Sequence, residues 1–458
     1  MIDESKFSKR NNKLVSDVKS FIQENSLGEE IEIPSIRTGI DVLDYRNGKY
    51  DYDKSGKKVK ILGISCGKIL MIIGKSGSAK TTLAIQIATN IISNFIEMGG
   101  FIQFQDFEHS TEMQRLMSLT GIKNKEYIKS LFVKPETNLN TENTFNIIKK
   151  IRKLKKGEEA LSGLSKNEQK KFQNPFLFTF PNGVIYPIPT PLIIDSLATM
   201  MPKNVEEDDD IAGNMSAAAV AKKNSSFFKG LLNDFSDANI MPIIINHINT
   251  KIDINPFSKQ PAELNFLKPD EALPGGKTSV FLTNTLWKLV TSRKLTEDKE
   301  FGIKGFVVRA ELIKSRSNAA GLSADLIYDQ VNGFDNLLSN LNLLKDSDML
   351  GGTGRGFYIK GFDNFKFQMK NFREQYEGSD GLKKAFDEAI DTALENFIPD
   401  PNSLVYNEND VFNKENLNEE LEEDLQSMKR VKIDGEIYYK SKSGKYFNTE
   451  GEEVEFVD

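Results

Sequence analysis

Cysteine, histidine and long apolar runs are what this sequence has least of. The single Cys66 excludes an internal disulfide and any cysteine cluster for zinc or iron, which fits a reducing compartment. With only two histidines, His109 and His247, a histidine-based metal centre is not expected. No apolar stretch approaches membrane-spanning length, and Met1-Ile2-Asp3-Glu4-Ser5-Lys6 lacks the apolar run of a signal peptide. A cytoplasmic location with no membrane partner is the expectation.

What is there reads as a globular chain. Its 458 residues are 39% hydrophobic and 28% charged, with a net charge of -6. Single cores stop growing near about 250–300 residues, so one large core with smaller appendages is expected. Mild acidity neither advertises nucleic-acid binding nor excludes it, because a basic groove can coexist with an acidic tail.

Along the chain, Phe7, Leu14, Val18, Phe21 and Ile22 fall at roughly helical spacing and predict a short amphipathic helix over 3–26. Residues 47–60 read as a hairpin or loop. The run Ile69 to Ile73 predicts a buried strand, Thr81 to Met98 a helix, Phe101 to Phe107 a second strand and Thr111 to Leu119 a second helix. Strand and helix in alternation imply a parallel sheet with right-handed crossovers, hence an α/β fold. Lys-rich residues then interrupt the pattern, and Pro181-Asn182-Gly183 between two apolar runs predicts a β-hairpin insertion over 150–190. The core resumes with a strand at Pro191–Asp195, a helix over 216–236 and strands at Met241–Ile245, Thr285–Val290 and Phe306–Lys314. Past 345 a glycine-rich linker leads to an aromatic-rich helical segment. From Glu408 to Asp424 there are eight carboxylates against one lysine, a solvated arm, and Val431 to Val457 alternates like a small β-meander.

The strongest chemical signal is Gly74-Lys75-Ser76-Gly77-Ser78-Ala79-Lys80-Thr81, with Thr82 following, set between a strand and a helix. This is a P-loop for ATP: successive backbone N–H groups and a helix N-terminus converge on phosphate oxygens, Lys80 adds a mobile cation, and the Thr81 hydroxyl holds Mg²⁺. The glycine usual before the lysine is Ala79 here. Leu192 to Asp195 is an apolar strand ending in a carboxylate, which suits a second Mg²⁺-orienting element or an ordinary strand end. Glu108 ends the strand Phe101–Phe107, where a carboxylate can polarise an attacking water; from position alone a solvent-facing loop glutamate is the plainer reading.

With those residues in view, the chain resembles the RecA-type recombinases, and most nearly the phage UvsX recombinases. The resemblance rests on Thr38 to Asp44, the P-loop, Phe107-Glu108-His109, Ile193 to Lys203, Ile245-Asn246-His247-Ile248, Pro274-Gly275-Gly276 and Glu311 to Arg316, in the family's order over roughly 35–345. It implies a RecA-like P-loop core with a mostly parallel twisted sheet, and a DNA-dependent ATPase. Glu108 and Lys80 are then catalytic, His247 senses the γ-phosphate, and Lys314 with Arg316 reaches a neighbour's nucleotide. Tyr328 corresponds to an adenine-contacting aromatic, although a core tyrosine reads equally well.

The implied assembly is a helical filament of identical subunits on single-stranded DNA that pairs with homologous duplex DNA and exchanges strands. A single-strand-binding protein and a loading mediator are further implied partners. DNA contacts are expected from two loops: Met215, Lys222 and Lys223 around the first, Lys251, Phe257, Lys259, Lys268, Gly275 and Gly276 around the second. The expected organisation is an oligomerisation helix at 1–34, the ATPase core at 35–345, a C-terminal subdomain at 346–400 and an acidic arm with a meander at 401–458. A phage origin would place it in host cytoplasm. Two rivals stand. One is a replicative helicase of the same superfamily, which ordinarily carries more chain ahead of its core; the other is an ATP-binding mediator with weak hydrolysis.

Overall fold

The computed structural model describes residues 33–398, apart from 54–55, 136–138, 170, 204–216, 251–261, 263, 297–299 and 355, together with strands between 429 and 454. The chain divides into two compact units, Ile31–Pro399 and a second made of Met1–Glu30 with Asp400–Asp458. In the second unit Lys429–Ile433, Glu436–Lys440, Tyr446–Phe447 and Glu453–Val454 form a four-stranded antiparallel sheet in chain order. The helix expected over 3–26 and the acidic arm over 408–424 lie outside the described residues.

The larger unit is built on a nine-stranded mixed sheet. In chain order its strands are β1 (Leu70–Gly74), β2 (Ile102–Asp106), β3 (Phe132–Val133), β4 (Thr190–Asp195), β5 (Ile240–His247), β6 (Thr285–Lys294), β7 (Gly305–Ser315), β8 (Ser323–Asp329) and β9 (Gly333–Asp335). In space they run β9-β8-β7-β6-β1-β5-β4-β2-β3. From β6 to β3 every pairing is parallel, whereas β6 to β9 is an antiparallel extension. The α/β core with a mostly parallel sheet is therefore observed.

Near-continuous apolar runs in the central strands β1, β4 and β5 follow from both sheet faces being covered. Leu70, Ile72, Phe104, Ile193, Ile243 and Ile245 enter one apolar cluster; Met71, Ile73, Leu192, Ile194 and Ile244 enter the other. On the first face lies α1 (Lys80–Ser93), which buries Leu83, Ile87, Ile91 and Ile92. The helix expected to run to Met98 stops at Ser93, and a single 3₁₀ turn, Ile96–Met98, takes up the remainder. Next come α2 (Met113–Thr120), α3 (Thr141–Lys155) and α4 (Ala217–Asp237), with Phe145 of α3 and Phe227 of α4 meeting on the second face. Asn140 caps α3 by accepting from the Asn143 N–H.

Short connections complete the unit. Leu177–Thr179 pairs with Ile185–Pro187 through the Asn182-Gly183 turn, and Phe178 and Phe180 lean on Phe95 beyond the end of α1. Lys49–Tyr52 pairs antiparallel with Lys58–Ile61. After β9, α6 (Asn336–Asp346) and α7 (Asp380–Glu395) share the first apolar cluster with Phe367 and Phe372, so this stretch packs into the same core; α5 (Lys277–Leu282) precedes β6.

Candidate active site

Parallel strands present their carboxyl ends along one edge, and loops leaving that edge form the crevice where ligands bind in open α/β sheets. Here β1 delivers the P-loop, β2 delivers Asp106 and Glu108, β4 delivers Asp195, and β5 delivers Asn246 and His247. The register confirms a single rim: Asp195 lies beside Asp106, and His247 beside Gly74.

The P-loop makes two close approaches. A Cβ on Gly74 would meet Ser78 Oγ at 2.5 Å and the Leu289 carbonyl at 2.7 Å, so only glycine fits there. Gly77, at φ +76°, faces open space. Ala79 occupies the left-handed region at φ 63°, ψ 26°, directly ahead of α1. That conformation costs an L-residue with a Cβ roughly 1–2 kcal/mol, which is the physical reason for glycine at such a position. Lys75 and Ser76 are exposed, while Ser78 Oγ donates to the Lys75 carbonyl at 2.8 Å. Lys80 is buried and donates to the carbonyls of Gly74 (3.1 Å) and Lys75 (2.9 Å). Burial lowers its pKa, against the opposing charges of Asp195 and Glu108.

Thr81 Oγ1 donates to Asp195 Oδ2 at 2.7 Å. Asp195 is 1% exposed; burial, with the charges of Glu108 and Asp106 adding to it and the Thr81 hydrogen bond opposing, pushes its pKa up to about 6. A buried carboxylate paired with a threonine hydroxyl, beside a buried lysine and an open glycine turn, is a donor set that fits a nucleoside triphosphate with a divalent cation. Glu108 Oε1 and His247 Nε2 are 2.9 Å apart. Burial would raise the Glu108 carboxyl, but hydrogen bonds from His247 and Ser196 and nearby positive charge outweigh it, leaving the group below the usual range and ionised at neutral pH.

From this rim two links run outward. Asn246 Nδ2 donates to the Pro274 carbonyl at 2.8 Å, tying the end of β5 to the root of the second loop. There Gly275 and Gly276 have φ +88° and +93°, and a Cβ on either would press on Leu197 or Ala221, so their described contacts are with the extension of β4 and with α4. Lys222, Lys223 and Lys268 are exposed, and Lys223 pairs with Glu142 at 3.2 Å. Met215, Lys251, Phe257 and Lys259 lie outside the described residues.

Tyr328 stacks on Phe306 with ring centroids 4.5 Å apart, and its hydroxyl accepts from Arg115 at 2.9 Å. Arg115 also donates to Thr82 Oγ1 (3.2 Å) and to the carbonyls of Gln330 and Val331. This arginine of α2 joins the P-loop helix to the β8–β9 turn, a role that no local motif announces. Lys314 and Arg316 stand elsewhere. Lys314 Nζ donates to the carbonyls of Val280 (2.9 Å) and Phe281 (2.6 Å), and Arg316 to that of Phe281 (2.9 Å), all on α5.

No protein-family model matches the chain. It is similar to Protein RecA of Aquifex aeolicus, 26% identical over 308 residues that cover 66% of this chain and 68% of that protein. Against Protein RecA of Aquifex pyrophilus it is 26% identical over 292 residues, 63% of each chain, and against that of Chlamydia pneumoniae 26% over 224 residues, 49% and 47%. The matches thus span between about half and two thirds of these relatives. Weak similarity of this extent, laid over a nine-stranded mostly parallel sheet, supports a RecA-type family and a RecA-like core.

Proposed function

We propose that this chain is an ATP-dependent homologous recombination protein, most like the phage UvsX recombinases, that assembles as a helical filament on single-stranded DNA. The observation that carries the reading is the convergence of Lys80, the Thr81–Asp195 pair and the Glu108–His247 pair on one sheet rim. In this reading the P-loop amides and Lys80 hold the phosphates of ATP. Thr81 and Asp195 hold Mg²⁺, which supplies charge neutralisation on the phosphates when bound. Glu108, ionised, orients the attacking water and accepts its proton. His247 gives Glu108 a fixed hydrogen-bond partner, and Asn246 beside it connects to the second DNA loop through Pro274.

Sheet register supports a site shared between subunits. Thr285 lies beside both Leu70 and Ser315, at the strand end opposite Gly74. Lys314 and Arg316 are therefore separated from their own P-loop by the length of β1, roughly 13 Å at about 3.3 Å per residue. Cations on the far edge serve a neighbour's nucleotide when subunits stack head to tail, the arrangement that yields open helical assemblies. Tyr328 pairs in register with Phe306, and Phe306 with Lys294 at the carboxyl end of β6, which supports an adenine contact on the near edge.

The left-handed Ala79 favours one second reading, an ATP-binding mediator that scarcely hydrolyses. Turnover measured with and without single-stranded DNA separates the two. A recombinase shows strong stimulation, and Glu108→Gln retains ATP binding while losing about 10²- to 10⁴-fold in rate. Absence of stimulation favours the mediator, and Glu108→Gln turning over at the parent rate rejects Glu108 as the base.

A further inference from the structure

Between β2 and α2 the chain turns sharply, and that turn carries Glu108. Its shape is fixed from both sides. On one side the Glu108 N–H donates to the Asp195 carbonyl at 3.2 Å, which ties the turn to β4. On the other, Asp106 receives four bonds, three from the turn itself and one from Lys134. Its carbonyl accepts from the His109 N–H (3.2 Å), Oδ1 from the Ser110 N–H (3.3 Å), and Oδ2 from the Thr111 N–H (3.2 Å) and from Lys134 Nζ (3.1 Å). Lys134 also donates to the Thr111 carbonyl at 3.3 Å and lies 4.4 Å from the centre of the Phe104 ring. It enters from the end of β3, the edge strand beside β2, so it clasps the turn across a strand boundary.

Charge makes the clasp necessary. Asp106 has a side chain only 9% exposed and stands next to Asp195 in the register, with Glu108 two residues on. Lys80 faces Asp195 and Glu108, whereas Lys134 is the cation paired with Asp106. Without that partner a buried carboxylate would sit beside two others with only backbone N–H bonds to offset its charge, and a shift of the turn that bonds it would relieve the repulsion. His109, at φ 49°, already holds a left-handed conformation that the surrounding bonds sustain.

We propose that Lys134, acting through Asp106, is a positioning residue for hydrolysis: it holds the Phe107–Thr111 turn so that Glu108 stays on His247 and aimed at the phosphate site. The inference rests on Glu108 being the catalytic base. Because misplacement by about 1 Å costs on the order of 10²-fold in rate, Lys134→Met is expected to lower kcat about 10- to 100-fold. The KM for ATP should stay within about twofold, since Lys80, Thr81 and Asp195 are untouched. Lys134→Arg, which keeps the cation and both hydrogen bonds, should recover most of the rate.

The decisive test is a double-mutant cycle on ATP turnover in the full-length protein with single-stranded DNA, with nucleotide binding measured in parallel. In the Glu108→Gln background Lys134→Met should add no further loss, because the turn no longer presents a base. Full turnover in Lys134→Met, an equal loss in the Glu108→Gln background, or a loss confined to ATP affinity each overturns the clasp. If Glu108→Gln is slow while Lys134→Met is fast, the clasp alone fails. If Glu108→Gln keeps the parent rate, the reading of the base fails and takes the clasp with it. Should Lys134→Met not fold, Lys134→Gln carries the same test.

Discussion

Lys155, the last residue of α3, offers a direct measurement of what burial does to a cation in this core. It is 3% exposed and donates to the Ile188 carbonyl and, at 2.9 Å, to Thr190 Oγ1, with no carboxylate paired to it among the described residues. Desolvation drops its pKa from 10.5 to about 7, with the buried Cys66 thiol pulling weakly the other way. Since the unfolded chain keeps its proton up to 10.5 and the folded one only to about 7, the unfolded state binds more protons in between. Stability from this group is therefore fully present above pH 10.5 and is lost as pH falls through 7. Each pH unit within the window corresponds to about 1.4 kcal/mol, so the full span is worth on the order of 4–5 kcal/mol.

The perturbation is Lys155→Met, which keeps the length and removes the titration. Urea unfolding of both proteins from pH 6.5 to 9.5 isolates the group, because every other titration cancels in the difference. The parent should gain on the variant by about 1–1.4 kcal/mol per pH unit above neutrality, and Lys155→Met should be the more stable of the two near pH 6.5. A difference that stays flat across this range would refute the burial argument. A difference of the opposite slope would mean that an unrecognised acid accompanies the lysine.

Other expectations concern the site and the assembly. Replacing Ala79 by glycine removes the left-handed strain of about 1–2 kcal/mol but frees the unfolded chain by about 0.4–1 kcal/mol, for a net change between zero and about +1.5 kcal/mol. Ala79→Val at the same backbone should destabilise by more than about 2 kcal/mol, and denaturation midpoints that reverse this order would contradict the assigned conformation. If the site is shared between subunits, Lys314→Ala/Arg316→Ala and Glu108→Gln are each slow alone, yet an equal mixture should recover about a quarter of the parent turnover through interfaces that pair intact halves. No recovery in co-assembled filaments argues for a site within one chain. Deletion of the residues after 400 should tighten duplex DNA binding and flatten its Mg²⁺ requirement, and a filter-binding titration that shows unchanged affinity removes that idea.

Much of the fold is legible because burial on two sheet faces leaves a local trace. Uninterrupted apolar runs such as Ile69–Ile73 and Leu192–Ile194, bounded by glycine or a carboxylate, read as central strands of a covered sheet. The P-loop is equally local, since a strand, a glycine turn and a helix N-terminus are consecutive in the chain. Where reading failed, the competing signal was charge. The helix Thr141–Lys155 hides among lysines, although Asn140 as a cap and Phe145, Ile148 and Ile151 at helical spacing announce it.

What the sequence by itself determined is the set of groups: a lysine and a hydroxyl for phosphate and metal, carboxylates at strand ends, and an alanine where glycine is customary. Tertiary structure alone decided their partnerships. That Glu108 meets His247, that Lys134 balances Asp106, that Arg115 bridges Thr82 and Tyr328, and that Lys314 and Arg316 sit on the far edge all follow from strand order and register. Arg115 and Tyr328, 213 positions apart, become hydrogen-bond partners there. Strand order is a property of the whole core, settled by which apolar faces can be buried together, and no window of sequence contains it.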